Sequence, residues 1–143
     1  MILRTATRAD LPVLLALLAD GDDAPVTEAH ERAFAAIGAD PRNEMLVLAD
    51  GDRVLGCLQL TYIPGLGQGG RERALIEAVR VRPELRGDGL GTELMERAVA
   101  RARERGCALV QLTSNKRRVH AHRFYERLGF ARSHDGFKLS LTG

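Results

Sequence analysis

Apolar positions recur along this chain with two periods, and the switches between them mark its elements. Residues 2–6 are short and extended in character. Asp10 followed by Leu11-Pro12 gives an acidic N-cap with proline near the first helical position, which predicts a first helix to about Ala19. Gly21-Asp22-Asp23-Ala24-Pro25 is loop by composition, and Thr27 then opens a second helix through about Ile37, stopped by Gly38 and Pro41. Residues 45–49 and 54–62 are strand-like runs joined by Asp50-Gly51-Asp52, whose Asp-Gly step predicts an antiparallel hairpin. Residues 64–70 hold a proline and four glycines, a loop leading to another strand over 74–82.

The second half switches period twice more. Leu90, Leu94, Met95, Ala98, Val99 and Ala102 recur at helical spacing, with Glu93 and Arg97 paired four apart on the other face and Gly106 as the stop. Residues 107–113 alternate as a strand, so this strand–helix–strand unit should carry parallel strands with a right-handed crossover. A fourth helix over about 118–128 should bury Val119, Ala121, Phe124, Tyr125 and Leu128 and end at Gly129. Residues 130–133 and 137–141, joined through Asp135-Gly136, read as a closing hairpin. The order is βααβββαβαββ, an α/β (α+β) arrangement: a mixed, mostly antiparallel twisted sheet of about seven strands with four helices.

Composition narrows the class without changing that picture. The 143 residues and 45% hydrophobic fraction suit one domain spanning 1–143 with a real core. A formal net charge of +2 gives no global case for nucleic acid. Cys57 and Cys107 stand far apart, with no ligand spacing among them and His30, His120, His122 and His134, so no metal is expected. Two cysteines in apolar runs suit a reducing compartment. The apolar stretch over 11–19 is too short to span a bilayer, and the reading is a cytoplasmic protein.

Chemistry is concentrated at Arg86-Gly87-Asp88-Gly89-Leu90-Gly91, between the fourth predicted strand and the third predicted helix. Three glycines in five positions belong in a turn rather than in an element's interior. Such a turn lets the backbone take positive φ and leaves the next helix's first N–H groups pointing outward at its positive end. This is either an anion site or a tight turn with no ligand.

The element order and Arg86-x-x-Gly89-x-Gly91 resemble the GNAT superfamily of acyl-CoA-dependent N-acetyltransferases, whose motif is [Q/R]-x-x-G-x-[G/A]. A second stretch, Phe124-Tyr125-Glu126-Arg127-Leu128-Gly129-Phe130, is similar to that family's F-Y-x-x-L-G-F signature. The resemblance covers residues 2–141 and implies transfer of acetyl from acetyl-CoA to a primary amine by direct attack in a ternary complex. It implies that Arg86, Gly87, Asp88, Gly89, Leu90, Gly91 and Thr92 hold the coenzyme A pyrophosphate. Main-chain groups of Val79 and Val81 would take the pantetheine arm like an added strand. Many relatives place asparagine seven residues before the tyrosine; here that position is Arg118, within a basic run from Lys116 to Arg123, and its cation could meet the 3'-phosphate. His120 and His122 do not share a helix face, and His122 is the better candidate for a local role.

Two residues stand out for proton transfer. In a regular strand Leu75, Glu77, Val79 and Val81 share one side, placing a carboxylate on an apolar face, though a bulge would change that parity. A carboxylate partly shielded from water suits a general base, and the alternative is an ion pair with Arg73 or Arg80. Deprotonating an alkyl amine at neutral pH, from a pKa of about 10.4, takes roughly 4 kcal/mol. Tyr125 matches the tyrosine that protonates the departing thiolate in many relatives; the alternative is an aromatic packing residue with a bonded hydroxyl.

By the same resemblance the acceptor site is built from the first two helices and the loop before the Glu77 strand. Asp20, Asp22, Asp23 and Glu28 there favour a cationic amine, and Arg71 and Arg73 a carboxylate or phosphate. A small molecule and a peptide lysine both fit, no membrane partner is expected, and a homodimer is compatible. The alternative functions are a non-catalytic acyl-CoA sensor or regulatory module and a nucleic-acid binder using residues 116–123, the latter without interleaved aromatics.

Overall fold

A computed structural model describes residues 1–20 and 24–143, so the Gly21, Asp22 and Asp23 part of the expected loop and acidic cluster lies outside the described residues. The chain divides into two compact units, residues 1–112 and 113–143. The first holds β1 (Ile2–Thr5), α1 (Leu11–Leu18), α2 (Glu28–Ala39), β2 (Asn43–Asp50), β3 (Arg53–Ile63), β4 (Arg73–Val81), α3 (Leu90–Arg105) and β5 (Leu109–Gln111). The second holds α4 (Val119–Arg127).

The five strands form one sheet in the order β1-β2-β3-β4-β5. The first four are antiparallel neighbours and β4 pairs parallel with β5, as the strand–helix–strand reading requires. The Asp-Gly turn joins β2 to β3 with Asp50 opposite Arg53, and Gly51 takes φ +57 there. Residues 45–49 are buried without alternation because helices cover both faces of the sheet. On one side α3 lies against β3 and β4 and buries Leu94, Met95, Ala98 and Ala102. On the other, Leu14 and Leu17 of α1 join Met45, Val47 and Cys57, with Phe34 and Ile37 of α2 packed against them.

Local chemistry sets the helix ends. Asp10 precedes α1 as expected, but its carboxylate turns back to accept from the Thr7 amide at 2.7 Å and pairs with Arg4 at 2.7 Å. These contacts hold the carboxyl well below its ordinary range, at about 2. Thr27 caps α2 through a reciprocal pair with His30, whose amide donates to the Thr27 hydroxyl and whose Nδ1 accepts from the Thr27 amide. α2 runs through Gly38 to Ala39, two residues past the expected stop, since one glycine near a helix end is tolerated at about 1 kcal/mol. At the far end of the sheet Glu44 receives two bonds from Arg101 and one from the Tyr62 hydroxyl, tying α3 to β2 and β3. Arg101 and these bonds lower the Glu44 carboxyl, while burial and Glu44 push the Tyr62 phenol up.

Three expectations are corrected. Among the described residues the sheet has five strands rather than about seven, because residues 130–143 form no ladder. Phe130 does not start a strand; its amide bonds back to the Tyr125 carbonyl at 3.1 Å as part of the helix cap. A hairpin without a sheet to join is marginal. The fourth helix also buries less than its pattern suggests: Val119 is exposed, and Ala121, Phe124, Tyr125 and Leu128 are half-buried. β5 is likewise shorter than residues 107–113, since the Cys107 amide is taken by the Ala102 carbonyl at the end of α3.

Candidate active site

The glycine turn is built as its residue types demand. Gly87 takes φ +92 and Gly89 φ +79, conformations that L side chains rarely adopt, and an added Cβ at either would meet nothing within 4 Å. Gly89 is the N-cap of α3, and no side chain among the described residues caps the helix's first amides; the first intrahelical bond runs from the Glu93 amide to the Gly89 carbonyl at 3.1 Å. Leu90, Gly91 and Thr92 therefore present donors at the positive end of a 16-residue helix. Arg86 and Asp88 are exposed beside them. An open cradle of this kind fits a pyrophosphate.

Beside the cradle β4 has one free edge. It pairs with β5 only from Arg73 to Leu75, so the stretch through Val79 and Val81 is bonded to β3 alone. An extended polar chain fits along such an edge. The Val79 carbonyl accepts from the Arg80 guanidinium at 3.0 Å. Gly56, opposite Val81, permits the close approach: a Cβ there would lie 2.7 Å from the Arg80 carbonyl.

The strand is not regular, and this corrects the reading of Glu77. Register passes from Gln59 opposite Glu77 to Cys57 opposite Arg80, so β4 carries one extra residue, and Ala78 sits at φ +56. The bulge ends the shared side at Glu77: Val79 and Val81 no longer follow it, and Arg80 does. Glu77 is also exposed, and its cross-strand neighbours on that side include the polar Gln59 and Thr61. Gln59 lies directly across from it, and both Gln59 and Thr61 donate to the Asn43 side chain, at 3.4 and 2.8 Å. No ion pair joins Glu77 to Arg73 or Arg80 among the described residues.

Arg80 is the neighbour that the pattern did not single out. Its Nε is buried without a hydrogen-bond partner and lies 3.8 Å from Asp20, which also stands 3.5 Å from Arg86. Asp20, expected to face an amine, thus lies between two cations near the cradle. The only signal for this arrangement was the bulge, which no residue type announces. Burial pushes the Cys57 thiol up to about 12 and raises Cys107 as well, so neither is an activated nucleophile.

In the second unit the F-Y-x-x-L-G-F stretch has a structural reason. Gly129 takes φ +99, its amide bonds to the Glu126 carbonyl and the Phe130 amide to the Tyr125 carbonyl, a Schellman end to α4. The cap turns Phe130 back so that its ring meets Tyr125 edge-on at 6.1 Å, while Phe124 stands 5.2 Å away on the other side. Tyr125 is half-buried and makes edge contacts with both rings, of which the glycine cap places that of Phe130. At the start of α4, Arg118 is the exposed N-cap and its amide bonds to the Asn115 carbonyl. His122 donates from Nε2 to that same carbonyl at 2.9 Å, so its local role is to brace the turn.

The fold, the glycine cradle and the capped aromatic helix define an acetyltransferase class. The chain matches the acetyltransferase (GNAT) family over residues 11–130, and it belongs to that family. Aminoalkylphosphonate N-acetyltransferase of Salmonella typhimurium is 35% identical over 115 residues, which are 80% of this chain and 73% of that enzyme. Glucosamine 6-phosphate N-acetyltransferase of Trypanosoma brucei brucei is 39% identical over 83 residues, 58% of this chain and about half (54%) of that enzyme. Among solved structures, one described as a transcriptional regulator from Bacillus halodurans is 42% identical, covers 98% of this chain and 99% of its own, and has a TM-score of 0.93. No helix among the described residues is long and apolar enough to cross a membrane.

Proposed function

We propose that residues 1–143 act as one N-acetyltransferase domain that moves acetyl from acetyl-CoA to the primary amine of a small cytoplasmic molecule. The observation that carries this reading is the cradle: Gly87 and Gly89 at positive φ before the uncapped start of α3, beside the open edge of β4. Arg86 to Thr92 hold the pyrophosphate, Val79 and Val81 the pantetheine arm, and Arg118 the 3'-phosphate. Acetyl-CoA supplies a thioester carbonyl activated toward amines. Glu77 accepts the proton from the acceptor's ammonium, directly or through water, which its exposure allows. The amine nitrogen then bonds to the carbonyl carbon as the carbon–sulfur bond breaks, Tyr125 gives its proton to the departing thiolate, and the second proton lost by the nitrogen restores the phenol through water. The transfer is direct, without a covalent acyl-enzyme, and the burial of Cys57 supports that reading.

Both enzymes named above act, by name, on an amine that also carries a phosphonate or phosphate. Arg73, on the same face of β4 as Glu77 and four residues away, is the cation that would take such an acceptor's anion. Free-thiol release should be measured over a panel containing an aminoalkylphosphonate, an amino sugar phosphate, a polyamine and a lysine peptide. Turnover of a phosphorus-bearing amine is expected to lead the panel; a lead for the polyamine or peptide sinks the acceptor class alone. A second reading, a non-catalytic acyl-CoA-binding regulator, is favoured by the relative described as a transcriptional regulator. Acetyl-CoA binding with no thiol release across the panel would select it, and no binding at all would sink both.

A further inference from the structure

Beyond Leu75 the main-chain groups of β4 face either β3 or an open edge, since its pairing with β5 stops there. The Arg82 amide reaches across to the Leu55 carbonyl of β3 at 3.0 Å. In an extended strand alternate residues turn their N–H and C=O the same way, so Arg80 also faces β3, and Val79 and Val81 face the open edge. The close approach of the Arg80 carbonyl to Gly56 agrees with that direction. On the open side the Val79 carbonyl already has a donor: Arg80 bonds it from Nη1 at 3.0 Å. The guanidinium is poorly served by this pose. Its Nε is buried and, among the described residues, has no hydrogen-bond partner; the Asp20 carboxylate stands 3.8 Å from it, beyond bonding distance. Asp20 is 72% exposed and lies 3.5 Å from Arg86 of the cradle as well.

We propose that Arg80 guards the open edge of β4 and yields the Val79 carbonyl to the pantetheine arm when acetyl-CoA binds. This rests on the acetyl-CoA reading above and adds to it the residue that controls entry to the edge. The Arg80 contact satisfies an edge carbonyl and sets a cation where a foreign strand would otherwise add. An amide N–H of the arm can replace the guanidinium on that carbonyl. The released guanidinium can then close the gap to Asp20, so the carbonyl keeps a donor and Nε gains an acceptor. Pyrophosphate in the cradle would draw Arg86 away from Asp20 and leave that carboxylate to Arg80. The competing assignment, a direct contact of Arg80 with phosphate, predicts the opposite sign when the side chain is removed.

Arg80→Met keeps the apolar stem and removes the donors, and S-acetylpantetheine, which carries the arm without phosphate, separates the edge from the cradle. In amide-shift titrations of the full chain this probe should bind Arg80→Met about three- to tenfold more tightly than the wild type, the worth of one net hydrogen bond. Asp20→Asn should weaken the probe about two- to threefold when Arg80 is present and change it less than about 1.5-fold in the Arg80→Met background. The Arg80 Nε–H resonance, assigned by its disappearance in Arg80→Met, should shift as the probe is added to the wild type. Thermal melts confirm that each variant folds. Equal, weaker or undetectable binding of the probe to Arg80→Met, the same Asp20→Asn loss in both backgrounds, or a stationary Nε–H resonance would overturn the proposal and leave the acetyl-CoA reading standing. Acetyl-CoA titrated into the wild type checks that reading separately, and no binding there would sink both.

Discussion

Gly89 and Gly106 cap the two ends of α3 and provide a matched pair for separating backbone strain from ligand contact. Both are left-handed, at φ +79, ψ 4 and φ +88, ψ 19, and a Cβ at either would meet nothing within 4 Å. Alanine at either position therefore suffers the same penalty, about 1–2 kcal/mol for an L residue in that region, with no steric term. For a chain of this size that is about 3–7 °C in melting temperature. The two sites lie at opposite ends of a 16-residue helix, about 24 Å apart. Only Gly89 borders the cradle, where a methyl would project into the space proposed for the pyrophosphate. Losing one charge-assisted bond there is about 1.5–3 kcal/mol, or roughly ten- to hundredfold in acetyl-CoA affinity. Thermal melts and calorimetric titration of Gly89→Ala and Gly106→Ala with acetyl-CoA give the test. Similar melting losses are expected, with weakened binding in Gly89→Ala alone. Unchanged acetyl-CoA affinity in Gly89→Ala, or equal weakening in Gly106→Ala, would refute the assignment of the cradle.

Three further outcomes follow from the site and the core. Tyr125→Phe keeps the ring between Phe124 and Phe130 but removes the proton, so kcat should fall about 10²-fold while the KM for acetyl-CoA stays within about twofold; a near-normal kcat would leave Tyr125 as packing. Glu77→Gln should lower kcat by about 10²-fold at neutral pH and be partly rescued at alkaline pH, where the free amine is populated; near-normal turnover across pH would remove the base assignment. Asp10 ionises at about 2 in the fold against an ordinary value near 3.8, so its contribution is present above about pH 4 and lost as pH falls toward 2. Asp10→Asn should therefore lose about 2 kcal/mol at pH 7 and show a flatter urea midpoint between about pH 4 and 2; retention of the wild-type slope would contradict this linkage.

Much of the fold was legible because its signals are local. The Asp-Gly hairpin, the Thr27 cap, the helical spacing from Leu90 to Ala102 and the Gly106 and Gly129 stops depend on residues within a turn or two of one another. The tail illustrates the opposite case: residues 137–141 carry the period of a strand, but a strand exists only where another supplies its hydrogen bonds. The glycine cradle was legible for the same local reason, since positive φ at Gly87 and Gly89 follows from the absence of a Cβ.

What local spacing determined about this protein, then, was its element order through the fourth helix and the place of its glycine turn, both written in short-range backbone preferences, while the family was carried by the resemblance of two motifs. The surroundings of Glu77 were decided by tertiary structure. A one-residue bulge at Ala78, accommodated where Gly56 lets the Arg80 carbonyl approach, turned Val79 and Val81 away from the carboxylate's face and brought Arg80 onto it. Strand parity is a property of pairing between β3 and β4, and no single strand's sequence carries it.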